Sequence, residues 1–254
     1  MSAPADTLTL TGRALRISRR NPDALVTALA LPVMLMLLFV HFFGGAIETG
    51  DDRAYVTWVV PGVLLLCAGF GCASTAQAVT EDMRNGVVDR FRSLDVGGTA
   101  ILAAHVAAST VRNVVATTVV LGVALAIGFR PEASLTGRLA AGGVLLAYVV
   151  ALSWVCAAVG LLVRTSEAAG GFTFFVSFLP YASGAFVPVD SMPSWLQGFA
   201  THQPLAPVVE SLRALLLDRP ATDATLHALL WTTALALTAA AASGPLFRRR
   251  TRRP

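Results

Sequence analysis

The sequence predicts an all-α integral membrane protein with six transmembrane helices, an N-terminal interfacial helix, a cytoplasmic amphipathic helix, and outer half-helices between the fifth and sixth spans. Four observations lead there. Of the 254 residues, 55% are hydrophobic and only 13% charged, against about 25% charged in ordinary soluble domains. Mean hydropathy is +0.68. Apolar runs of roughly twenty residues recur along the chain, each long enough to cover a hydrocarbon core of about 30 Å. The arginines between those runs fall unevenly on alternate sides, as membrane topology requires.

From Leu8 to Arg20 the pattern is mixed. Leu10, Ala14 and Ile17 share one face, and Arg13, Arg16 and Arg20 share another. That reads as a helix lying on the cytoplasmic surface with its arginines near anionic headgroups. A disordered basic tail is the alternative. The first span covers 24–43. It exceeds a usual signal-peptide core and no clean small-residue cleavage site follows, so it is read as retained. A short loop from Gly44 to Arg53 carries Glu48, Asp51 and Asp52. The second span covers 54–79, where Gly69, Gly71, Ala73 and Ser74 allow close helix approach.

The polar stretch from Val79 to about Gly98 stands out between apolar runs. It holds Glu81, Asp82, Asp89 and Asp95 together with Arg84, Arg90 and Arg92. Val87, Val88, Phe91 and Leu94 recur at helical spacing within it. This predicts a short amphipathic helix that offers one face to a partner or to headgroups. A solvated loop is the plainer reading of the same charges.

The third span covers 111–129. An arginine at a helix centre costs about 2.5–3.5 kcal/mol on insertion scales. Arg112 is therefore placed at the cytoplasmic end or facing the bundle interior. The fourth span covers 138–163, and the short Arg164–Glu167 link makes it an antiparallel neighbour of the fifth, 168–189. Pro180 should kink the fifth span by removing a backbone hydrogen bond. Kinked helices can line a path, and Phe172, Phe174, Phe175, Phe178 and Tyr181 make this span aromatic. Phe174, Phe178, Pro180 and Tyr181 are candidate substrate-path residues; core or dimer packing is the favoured reason for these rings.

Residues 190–223 are too short in their apolar stretches to span. Trp195, Leu196 and Phe199 give one apolar face; Val208, Val209, Leu212, Leu215 and Leu216 give another. Two half-helices in the outer interface are expected, anchored by Trp195. Glu210 and Arg213, three apart, should pair. The sixth span covers 224–247, and the arginines from Arg248 to Arg253 read as a stop signal.

With six spans both termini share a side. That side holds Arg13, Arg16, Arg19, Arg20, Arg84, Arg90, Arg92, Arg164 and the tail arginines. Only Arg53, Arg130, Arg138, Arg213 and Arg219 fall on the other. The termini and the polar stretch are therefore cytoplasmic. A nucleic-acid role for the basic tail is not expected beside a membrane span.

Composition also excludes chemistries. The chain has no lysine, so it cannot build a Walker A phosphate loop or a lysine Schiff base. Cys67, Cys72 and Cys156 lie inside apolar runs and do not suggest a disulfide framework. The four histidines have no metal-ligand spacing. The spans hold no paired carboxylates or nucleophile–base arrangement, which argues against an intramembrane enzyme. An ion-coupled secondary transporter normally needs an acid or histidine within a span; here the acids fall in loops or near ends. A non-transporting scaffold remains a further alternative.

The stretch Glu81-Asp82-Met83-Arg84-Asn85-Gly86-Val87-Val88-Asp89-Arg90-Phe91-Arg92-Ser93-Leu94 resembles the cytoplasmic loop of ABC-2 type exporter permeases, in their daunorubicin-resistance branch. The stretch from Ser183 to Gln197, with Gln203-Pro204 and Val209 to Leu215, is similar to the same family's segment after the fifth span. The resemblance covers nearly the whole chain, as one transmembrane domain over 1–254. Asp95, Gly97-Gly98 and His105 depart from residues common in that family.

The resemblance implies a permease subunit in the bacterial inner membrane, exporting a hydrophobic or amphipathic substrate. It implies a dimer of permeases with two copies of a separate ATP-binding chain. ATP and magnesium would belong to that partner, and this chain would hold no cofactor. The polar stretch would be a coupling helix: Val87, Phe91 and Leu94 entering a groove, Asp89, Arg90 and Arg92 setting register, and Glu81, Asp82, Arg84 and Gly86 completing the surface.

Overall fold

The computed structural model of the chain describes residues 3–20, 22–44, 55–93 and 96–251. Among these, every regular element is helical. In order they are α1 (Ala3–Arg19), α2 (Pro22–Leu38, continued by a π-turn over Phe39–Phe43), α3 (Tyr55–Arg84), α4 (Val87–Ser93), α5 (Gly98–Ala126), α6 (Leu135–Leu162), α7 (Ser166–Phe178), α8 (Ser194–His202), α9 (Leu205–Leu216) and α10 (Thr222–Thr251). Helices α3, α5, α6 and α10 are long and apolar enough to cross a membrane, and Leu29–Phe43 is a shorter apolar helix.

Helix α3 is the hub. It packs against α2, α5, α6 and α7, and 83% of its most apolar window is buried, against 11% for α10 at the rim. In lipid, burial between helices gains little from exclusion of water, so contact depends on how closely backbones can approach. Gly160 of α6 shows this. A Cβ there would lie 2.6 Å from the Ala76 carbonyl oxygen of α3. Its absence lets Thr80 Oγ1 donate to the Gly160 carbonyl across the contact at 3.0 Å.

Several expected boundaries shift. The helix of the second span, α3, runs on past 79 to Arg84, so the first acids of the polar stretch sit on the same helix as the core. The helix of the third, α5, starts at Gly98, ahead of the expected span at 111. The alanine-rich run after Gly98 favours helix, and Arg112 finds side-chain partners that let the helix continue. The fifth span is not one helix over 168–189. Helix α7 ends at Phe178 after 13 residues, and Pro180 sits in a 3₁₀ turn over Leu179–Ala182. A proline that removes a bond from the last turn ends the helix here rather than kinking it. The sixth continues to Thr251 and takes in Arg248–Arg250.

Caps hold the shorter connections. Ser134 Oγ accepts from Gly137 N at the start of α6, and Thr165 Oγ1 accepts from Ala168 N at the start of α7. Arg250 of α10 donates to the carbonyls of Gly160, Leu161 and Val163, capping the α6 C-terminus. This basic residue is thus a structural cap as well as part of a charged tail.

At the far end of the bundle the chain 182–187 is stapled down by three side chains. Tyr55 Oη donates to the Phe186 carbonyl at 2.8 Å, Gln203 Nε2 to the Ala182 carbonyl at 2.5 Å, and Arg213 Nη2 to the Gly184 carbonyl at 3.1 Å. Half-helices α8 and α9 form as expected, but they differ. Trp195 and Phe199 of α8 are exposed, whereas Val208, Val209, Leu212 and Leu216 of α9 are buried. The expected Glu210–Arg213 pair is present at 3.4 Å.

Candidate coupling corner and polar interior

Helix α3 turns into α4 over Asn85-Gly86. Asn85 N donates to the Glu81 carbonyl and Arg90 N to the Gly86 carbonyl, so the turn joins the two helices without a slack loop. Gly86 has φ +67°, a left-handed conformation that glycine adopts without steric cost.

The corner sorts the candidate coupling residues into two sets. Glu81, Arg84, Gly86 and Arg90 are exposed and Val87 is half-buried. Asp82 and Phe91 turn toward the chain's own helices, and so does Val88. Val88 is buried with Val79, Ile101, Leu102 and Phe247. Phe91 is half-buried on that cluster beside Leu10 and Met83. Asp82 Oδ2 lies 3.2 Å from His105 Nε2 on α5 and 3.6 Å from Arg13 on α1. The Arg13 guanidinium sits 5.4 Å from the Phe91 ring centre, within cation–π range. The corner therefore joins α1, α3, α4 and α5, and Phe247 brings α10 onto the same cluster. Leu94 lies outside the described residues, as do the side chains of Asp89 and Arg92.

Arg13 corrects an expectation. The periodicity groups it with Arg16 and Arg20 on a headgroup-facing side; instead it reaches Asp82 and Phe91, while Arg16 and Arg20 stay exposed. A half-buried carboxylate with an aromatic face beside it is a better environment for a guanidinium than either alone. Nothing within the local sequence joins position 13 to position 82.

The corner also reaches α7. Ser166 Oγ donates to Glu81 Oε1 at 3.3 Å. At the α7 start, the Glu167 backbone N–H, the Thr165 hydroxyl and the field of Arg84 hold the Glu167 carboxyl below its usual range.

Deeper in the bundle lies a buried polar layer. Ser153 Oγ of α6 donates to Ser109 Oγ of α5 at 2.9 Å, and Cys72 Sγ of α3 is 3.3 Å from Ser153 Oγ. Asn113 Nδ2 donates to the Ser109 carbonyl and lies 3.4 Å from Cys72 Sγ. Gly71 makes room for it: a Cβ there would fall 2.1 Å from Asn113 Oδ1. Arg112 reaches Ser18, Ser74 and Thr75, so it faces other helices from the middle of α5. All three cysteines are buried free thiols.

The candidate path residues form a ladder of rings. Phe174 meets Phe178 at 4.5 Å, Phe178 meets Tyr181 at 5.2 Å, and Tyr181 meets Phe186 at 4.7 Å. Phe39 of α2 then meets Phe186 at 4.9 Å. Phe174 and Phe178 are exposed and Phe186 is buried, so the ladder leads from the surface to the core; Pro180 is buried beside it. Phe39 and Phe186 carried no signal in the sequence because they come from distant segments.

A family model described as ABC-2 type transporter matches residues 5–217. The chain is similar to "Daunorubicin resistance ABC transporter permease protein DrrB1" of Streptomyces coeruleorubidus, with 31% identity over 218 residues, 85% of this chain and 76% of that protein. It is also similar to "Probable doxorubicin resistance ABC transporter permease protein DrrC" of Mycobacterium tuberculosis, with 25% identity over 238 residues, 93% of this chain and 86% of that one. With a helical bundle of membrane-length spans and a match over most of its length, this chain belongs to the ABC-2 type transporter family.

Proposed function

We propose that this chain is the membrane permease of an ATP-binding cassette exporter, and that a separate chain docked on the α3–α4 corner hydrolyses ATP to drive it. The observation that carries the reading is the two-sidedness of that corner. Glu81, Arg84, Gly86 and Arg90 are presented outward, while Asp82, Val88 and Phe91 bind the corner to α1, α5 and α10. A displacement of α4 then moves packed helices rather than a loop, which is what coupling by a rigid element requires.

In this reading α2 and α7 complete six spans, both termini and the corner face the cytoplasm, and two permeases pair in the inner membrane with two ATP-binding chains. The cargo is hydrophobic or amphipathic, in keeping with the drugs named for its relatives. The ladder Phe174–Phe178–Tyr181 offers such a cargo an apolar route beside Pro180.

The test is purification of the full chain in mild detergent from its own host. A Walker-A-bearing soluble chain recovered in equal numbers is the expected result. Purification of the chain alone, under conditions that preserve such complexes, would overturn the reading and turn attention to transport driven by a proton gradient.

A further inference from the structure

We propose that Arg112 binds the phosphate of an anionic phospholipid, in a crevice between α1, α3 and α5 on the α4 side of the bundle. The proposal needs only a membrane around the chain. It does not rest on the ATP-driven reading, and either can fail without the other.

Arg112 Nη1 lies 3.4 Å from Ser18 Oγ of α1, and Nη2 lies 3.4 Å from Ser74 Oγ and 3.2 Å from Thr75 Oγ1 of α3. All three acceptors are neutral. Ser18 Oγ donates its own proton to the Ala14 carbonyl and Ser74 Oγ to the Gly71 carbonyl, so each offers the guanidinium only lone pairs. The other inward cations are compensated: Arg13 has Asp82, Arg213 has Glu210, and Arg250 has the α6 carbonyls. Among the described residues no carboxylate pairs with Arg112. A guanidinium has five donors and a full charge, and a counter-ion is what such a group lacks in an apolar bundle.

Ser74 is exposed, Ser18 and Arg112 are half-exposed, and Thr75 forms a buried floor. On α5, Val111 and Val115 flank Arg112 with 44% and 59% of their surface exposed, an apolar track for an acyl chain leading away from a phosphate. Depth fits as well. Arg112 lies two helical turns, about 10 Å, along α5 from His105 and its contact with Asp82. Arg16, Arg19 and Arg20 are exposed at the adjacent end of α1. Their positive potential favours a lipid of net negative charge over a zwitterionic one. The planar fork of an arginine can bind two phosphate oxygens at once.

The test is native mass spectrometry of the purified full chain with phosphatidylglycerol, phosphatidylcholine or oleate added. Wild type is expected to retain phosphatidylglycerol about tenfold more strongly than phosphatidylcholine, and Arg112→Gln to retain about tenfold less phosphatidylglycerol than wild type. Equal retention of phosphatidylglycerol by Arg112→Gln and wild type would overturn the proposal. Oleate displacing phosphatidylglycerol at equal concentration would overturn the phosphate assignment in favour of an anionic cargo. Ser74→Glu keeps the test decisive if Arg112→Gln does not fold. It places a carboxylate beside the guanidinium, so it should raise Tm while abolishing lipid retention; unchanged retention in this variant would equally sink the assignment.

Discussion

The guanidinium carbon of Arg213 lies 3.6 Å from the centre of the Trp58 ring, locking α9 onto the first turn of α3. The same guanidinium donates to the carbonyls of Gly184 and Ala185 and pairs with Glu210. Burial pushes it down to about 10, with Glu210 opposing, so it stays charged at neutral pH. Arg213→Met keeps an apolar stem but strands the two carbonyls. It should cost about 2 kcal/mol, read as a lower Tm in detergent, with Arg213→Lys falling between it and wild type. An unchanged Tm for Arg213→Met would show that Arg213 does not hold α9 to α3.

At Gly160 α6 comes close to α3, and the nearest obstacle to a larger residue is the Ala76 carbonyl. Gly160→Val should force the helices apart and break the Thr80 contact, at a cost of about 1–3 kcal/mol or more. Reduced membrane yield and a lowered Tm are the expected readouts. Gly142→Val is the control, since a Cβ at Gly142 meets nothing within 4 Å.

Arg13 ties α1 to the corner through Asp82 and Phe91, but the site is partly exposed and the contribution to stability is correspondingly small, below about 1 kcal/mol. Arg13→Ala should therefore leave Tm nearly unchanged and increase cleavage of the Asn85-Gly86 turn in limited proteolysis. Equal cleavage in variant and wild type would show that Arg13 does not hold α4.

Asp89→Asn combined with Arg90→Gln should abolish export of a drug substrate while leaving membrane insertion and yield intact. The assay is drug accumulation in cells expressing matched amounts of permease. Normal export by the double variant would end the coupling role assigned to α4.

Cys67, Cys72 and Cys156 are at most 1% exposed. The folded chain should resist N-ethylmaleimide and take up the reagent only after denaturation, with labelling followed by intact mass. Rapid labelling before denaturation would contradict the packing around α3.

Much of this was legible along the chain. Long apolar runs foretell helices because lipid leaves backbone groups no other partner. The spacing of Val87, Val88 and Phe91 foretells α4, and Glu210 and Arg213 pair as helical neighbours must. Boundaries were less legible. Apolar content marks where lipid lies, not where a helix stops, so α3 runs past Val79 into the acids and α5 begins before the apolar run does.

What the sequence determined by itself is the class: an all-helical membrane chain, from local composition and periodicity, and a charged corner whose motif resembles one family. Only the tertiary structure decided which polar groups meet. Arg13 with Asp82, Arg112 with Ser18 and Ser74, Arg213 with Trp58, and Arg250 with the end of α6 each join distant segments. An isolated helix has no means of specifying them. The partner of a cation in an apolar bundle is set by which helices pack side by side, and that choice belongs to the whole fold.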